Sequence, residues 1–135
     1  MQTESAKRVP IDTENDIVLV RKEVRETSSL LGFGLTDITR IVTAASELAR
    51  NVFHYAGSGY MQLEILTLNG SKGLELSFTD KGPGIPDVDQ AMEMGYSTRA
   101  GLGLGLPGAK RLMNKMEIHT KVSEGTTVKV TKWLK

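Results

Sequence analysis

A chain of 135 residues with 39% apolar and 24% charged residues has the size and balance of one folded domain, residues 1–135, with room for a real core. With 17 basic and 16 acidic residues the net charge is +1, without the basic excess that a nucleic-acid surface needs. There is no cysteine, hence no disulfide or thiolate metal site, and no run of the roughly 20 apolar residues that spans a membrane.

In chain order, residues 1–16 are polar and do not resemble a signal peptide, so a soluble, cytoplasmic protein is expected. Lys7 to Ile11 reads as a short strand. Thr13-Glu-Asn-Asp16 has the spacing of a helix start, and a helix over Glu14 to Leu31 should follow until Gly32-Phe-Gly34 stops it. Thr36 is placed to cap a second helix running to about Tyr55. Ile38, Ile41, Val42, Ala45, Leu48, Ala49 and Val52 recur there at helical spacing. Tyr60 to Leu68 reads as a strand, Asn69-Gly70 as a turn with Gly73 closing the loop, and Leu74, Leu76 and Phe78 as the inward positions of a second strand. Asp80 to Gly103 is rich in glycine and proline and reads as irregular, with a short helix at Val88 to Met94. Pro107 suits the first turn of a helix ending near Asn114. Met116, Ile118, Thr120 and Val122 alternate as a strand. Glu124-Gly125 turns the chain into a last strand, Thr126 to Trp133, with Val128 and Val130 inward. Lys129, Lys132 and Lys135 read as its solvated face. Hairpin-grouped strands with separate helices predict a two-layer α+β sandwich.

Three motifs carry chemistry. Glu47 and Asn51 are four apart on the second helix, on a stripe with Arg40 and Ala44 that lies roughly 130° from the centre of its apolar face. A carboxylate there can take a proton, and an amide oxygen can ligate a hard cation. A solvated helix face is the plain alternative, and the pair alone does not exclude it. Asp80 opens a loop containing Gly82, Gly84 and Ile85. Its carboxylate can accept a hydrogen bond from an amino group, or can simply close an Asx turn. Gly101, Leu102, Gly103, Leu104, Gly105 and Leu106 lead into a helix, where backbone N–H groups bind phosphate. Gly103-x-Gly105-x-x-Gly108 formally fits a dinucleotide fingerprint, but no buried strand precedes it. A phosphate-binding P-loop needs glycine before its lysine, and Ala109 precedes Lys110. The lysine strand, HRD loop and DFG turn of eukaryotic-type kinases do not occur. Thr126 follows Gly125 in the last hairpin. His54 and His119 stand alone and read as structural or surface residues.

In this order the motifs resemble the N box, the two glycine boxes and the closing Gly-Thr of the GHKL ATP-binding superfamily, over roughly Thr36 to Trp133. The resemblance implies the Bergerat fold, helices over a mixed, mostly antiparallel sheet, with ATP and Mg2+ as cofactors. It implies Glu47 as catalytic base, Asn51 as Mg2+ ligand and Asp80 as adenine contact. Gly101 to Leu106 would hold phosphates under a lid at about residues 87–100, with Arg99 as a γ-phosphate contact. The strings Ser-Glu-Leu-Ala-Arg-Asn, Gly-Tyr-Ser-Thr and Gly-Leu-Gly-Leu-Gly-Leu-Pro-Gly are similar to those of the switch serine/threonine kinases of bacterial stressosomes. That narrower resemblance implies phosphorylation of STAS-domain scaffold or antagonist partners, then release of the kinase to activate a PP2C-type phosphatase. The alternative is an anti-sigma factor that sequesters a sigma factor. An ATP-binding domain with lost catalysis is disfavoured by Glu47.

Overall fold

The computed structural model describes residues 2–85, 92 and 105–134, with side chains from residue 6 onward. The elements are β1 (Gln2–Ile11), α1 (Glu14–Leu31), α2 (Leu35–Ala56), β2 (Gly59–Leu68), β3 (Ser71–Asp80), α3 (Gly105–Leu112), β4 (Lys115–Lys121) and β5 (Gly125–Trp133). The strands form one sheet in the order β1-β2-β3-β5-β4. The sheet expected to be mixed and mostly antiparallel is antiparallel in every described pairing. The short predicted helix at Val88 to Met94 lies outside the described residues, Met92 apart. No helix among the described residues is long and apolar enough to cross a membrane.

α1 has the predicted limits, and its ends show why. Asp16 Oδ2 accepts hydrogen bonds from the backbone N–H groups of Asp12 and Thr13, at 2.8 and 3.0 Å, which satisfies donors that a helix start leaves free. Those two bonds, Asp12 first, hold the Asp16 carboxyl below the usual carboxylate range. At the other end Gly32 takes φ +99°, and the N–H groups of Gly32 and Phe33 return to the carbonyls of Ser29 and Ser28. Ile17, Val20, Val24 and Ser28 form the buried stripe.

α2 starts differently from expectation. Its N-cap is Gly34, with no side-chain capping bond, and Thr36 sits inside the first turn. The helix is carried by burial: Ile41, Ala44, Ala45, Leu48, Ala49 and Val52 are almost wholly removed from solvent. At about 1.5–3 kcal/mol per buried large aliphatic side chain, this face outweighs a missing cap of about 1 kcal/mol.

The helix-facing side of the sheet carries Met61, Leu63, Leu74, Leu76, Phe78, Val128 and Val130, all buried. Residues alternate sides along a strand, so Asp80 shares this side with Phe78, and Thr126 shares it with Val128. Lys132 shares it too. It is not on a solvated face: its side chain is only 11% exposed, and Lys129 alone of the two described lysines points to the other side. On that open side Lys129 lies 3.8 Å from Glu75. Burial pushes the Glu75 carboxyl upward; Lys129 opposes the shift, and Glu64 and Glu117 add to it. Gly73 belongs to β3 rather than to the preceding loop. A Cβ at this position would lie 2.5 Å from the Trp133 ring, so the glycine lets the indole lie on the strand.

Candidate nucleotide site

Glu47 and Asn51 are not on a solvated face. α3 packs against α2, Ala44 is fully buried, and Glu47 is 9% exposed. Glu47 Oε1 accepts a hydrogen bond from Arg50 Nη1 at 2.7 Å. Glu47 Oε2 and Asn51 Oδ1 are buried and have no partner among the described residues. An unpartnered buried oxygen costs about 1–3 kcal/mol, and nearly all such atoms in folded proteins are satisfied. Two of them a single turn apart therefore mark a place where something outside the described residues supplies the donor or the cation. Both are hard oxygen donors, which suits Mg2+ better than softer metals. Among the described residues no cluster of three or more His, Cys, Asp or Glu side chains is poised to hold a metal alone.

A second group gathers at the end of β3. Asp80 pairs in register with Gly59 on one side and Thr126 on the other. Its Oδ1 accepts the Gly82 N–H at 2.9 Å, so the Asx turn considered above does form. The turn uses one carboxylate oxygen and is compatible with a role for the other. Gly82 is pressed on α2: a Cβ there would stand 2.7 Å from the Ala56 Cβ. Gly84 takes φ +79°, and a Cβ would run into the Lys121 carbonyl. The loop is fastened to the β4–β5 hairpin beyond. Ser123 N–H donates to the Pro83 carbonyl at 2.8 Å. Ile85 N–H donates to Thr120 Oγ1 at 2.9 Å, and that hydroxyl lies 2.8 Å from Thr126 Oγ1. The loop after Asp80 therefore bridges the last turn of α2 and the hairpin that carries Thr126.

Gly105 and Leu106 open α3 and are buried, with Gly105 at φ +61°. Arg99, Gly101, Leu102, Gly103, Leu104 and the expected lid at residues 87–100 lie outside the described residues, Met92 apart. Two contributors escaped the sequence reading. Arg50 occupies one oxygen of Glu47; its signal was the three-residue spacing on one helix face. Thr120 joins Ile85 to Thr126; its signal was its inward position in the alternation of β4.

Residues 36–135 match the family described as histidine kinase-, DNA gyrase B-, and HSP90-like ATPase. The chain is 49% identical over 127 residues to the serine/threonine-protein kinase RsbT of Bacillus subtilis, covering 94% of this chain and 96% of that protein. It is 30% identical over 107 residues to the anti-sigma F factor of Anoxybacillus flavithermus, covering 74% of this chain and 72% of that one. Among solved structures, the RsbU and RsbW domains of a Mycobacterium tuberculosis protein superpose with a TM-score of 0.66 at 21% identity, over 96% of this chain and 32% of that one. The SiaB-SiaC complex of Pseudomonas aeruginosa gives 0.55 at 11% identity, over 98% and 91%. Both likenesses are of fold.

Proposed function

The chain belongs to the histidine kinase-, DNA gyrase B-, and HSP90-like ATPase family, and from that premise we propose that it is an ATP-dependent serine/threonine protein kinase of a bacterial partner-switching system. Its substrates are STAS-domain partner proteins of a stressosome-type complex in the cytoplasm. Phosphorylation adds charge at their interface, which frees the kinase to activate a PP2C-type phosphatase.

The observation that carries the chemistry is the pair of unpartnered oxygens on α2. Glu47 Oε2 is the base that takes the acceptor hydroxyl's proton as its oxygen bonds to the γ-phosphorus and the bond to ADP breaks, ADP leaving. Asn51 Oδ1 would hold Mg2+, which would supply positive charge against the phosphate oxygens. Asp80 receives the adenine amino group on its side of the loop, with Gly82, Gly84 and Ile85 shaping the seat for the base and Thr126 behind it. Gly101 to Leu106, with Arg99, bind the phosphates. Most of the rate comes from positioning and charge neutralisation.

The test is radiolabel transfer from ATP to a purified STAS-domain partner in the presence of Mg2+. Label on a serine or threonine, lost in Glu47→Ala while ATP still binds, is the expected result. No transfer to any STAS partner from a protein that binds ATP would favour the second reading, sequestration of a sigma factor. That reading draws on the anti-sigma relatives, and the 30% identity over 74% of the chain to the Anoxybacillus flavithermus protein is weaker support than 49% over 94%.

A further inference from the structure

Lys132 is an inward lysine on β5, registered against the fully buried Leu74. A lysine at such a position gives up hydration worth several kcal/mol, which an apolar side chain of similar volume would not. What it meets there is specific. Nζ donates to the Leu112 carbonyl at 2.9 Å, at the last residue of α3, where the helix presents its unsatisfied oxygens and the negative end of its dipole. Nζ is also 3.8 Å from Asp37 Oδ1, in the first turn of α2, an oxygen shared with Arg40 Nη1 at 3.1 Å. Two further bonds clamp the same end of α3 to β5: Asn114 N–H to the Thr131 carbonyl at 2.9 Å, and Trp133 N–H to Asn114 Oδ1 at 2.7 Å.

We propose that Lys132 is a positioning residue for the phosphate end of the nucleotide site, setting α3 against α2 and thereby the N–H groups of Gly105 and Leu106 at the start of α3 against the helix that carries Glu47 and Asn51. The inference rests on the reading of the site given above. α3 has eight residues, about 12 Å, too short to bend, so a shift at Leu112 reaches Gly105 undiminished. Asp37 lies on the helix that carries both unpartnered oxygens, so one ammonium references the two halves of the phosphate site to a single strand. The adenine end is held separately, by the Asp80 turn and the Ile85–Thr120–Thr126 bonds. Loss of Lys132 should therefore weaken ATP and leave adenosine alone.

The experiment compares Kd for ATP with Mg2+ and for adenosine, by calorimetry, on the intact chain and its variants. Lys132→Met is expected to weaken ATP about tenfold, with adenosine held within about twofold and Lys132→Arg restoring most of the loss. Equal weakening of both ligands would mean general loosening and overturn the assignment, as would unchanged ATP affinity. Should Lys132→Met not fold, Asn114→Ala cuts the same clamp at an exposed residue. A loss of about threefold for ATP alone is then expected, and unchanged ATP affinity overturns the proposal. A parent chain that binds no ATP refutes the site itself, which is distinct from a parent that binds and variants that match it.

Discussion

Replacing Glu47 by methionine should make the nucleotide-free protein more stable and the kinase inactive. Glu47 is 9% exposed, with Oε2 buried and unpartnered among the described residues, and removing that oxygen relieves about 1–3 kcal/mol of uncompensated desolvation. The change also deletes the bond from Arg50, whose side chain is 40% exposed and rehydrates when released. A pair so screened contributes about 0.3–0.5 kcal/mol. Methionine matches glutamate in length and adapts to irregular space, so no cavity term enters. The balance favours the variant by about 1 kcal/mol, which for a domain of this size raises Tm by about 3–5 °C. Phosphoryl transfer to a STAS partner should fall by at least about a hundredfold, the usual scale for a lost general base. Differential scanning calorimetry without nucleotide and a transfer assay with it read both sides. A variant that melts several degrees below the parent would refute the reasoning, because Glu47 would then be a structural ion-pair residue rather than one kept at a cost to stability for chemistry.

Asp80→Asn retains an Oδ1 to accept the Gly82 N–H, so the loop should fold as before. ATP affinity should fall about a hundredfold with little change in Tm, and unaltered affinity by calorimetry would remove Asp80 from the site. Gly73→Ala drives a methyl group into the Trp133 ring, so the chain's only tryptophan should move outward. Its emission should shift to longer wavelength and stability should drop by about 1–3 kcal/mol in urea titration. Glu75 has its pKa raised by burial, so ionising it disfavours the folded state. Glu75→Gln should therefore raise Tm at pH 7. The gain should shrink as pH falls through the folded pKa and vanish below the ordinary value of 4.5, as melting curves from pH 7 to pH 4 would show.

Local chemistry was legible where side chains do the work. α1 was bounded correctly because Asp16 and Gly32 advertise its ends. The start of α2 was misread because Gly34 caps it without a side chain, and Thr36 looked the better candidate. β1 was shortened to Lys7 because the polar residues before it show no alternation, while pairing with β2 extends the strand to Gln2. Gly73 reads as the close of a loop because its reason for being glycine, Trp133, is distant in sequence. Lys132 was grouped with Lys129 as one solvated face, although an odd number of residues between strand positions puts them on the same side and an even number on opposite sides; two residues separate these lysines. For the site, Glu47, Asn51 and Asp80 were visible as motifs. The burial of Ala44 and Glu47 was not, since it depends on the packing of α3 against α2.

The last strand enters the middle of the sheet. β3 and β4 share no described pairing with each other, and both bond to β5. A growing chain on the ribosome therefore has two halves of a sheet with a vacant slot until Gly125 to Trp133 emerge. Thr126, the neighbour of Asp80, and Lys132, the tether of α3, arrive on that same segment. A stalled or clipped product therefore lacks the strand that joins β3 to β4 and carries both residues.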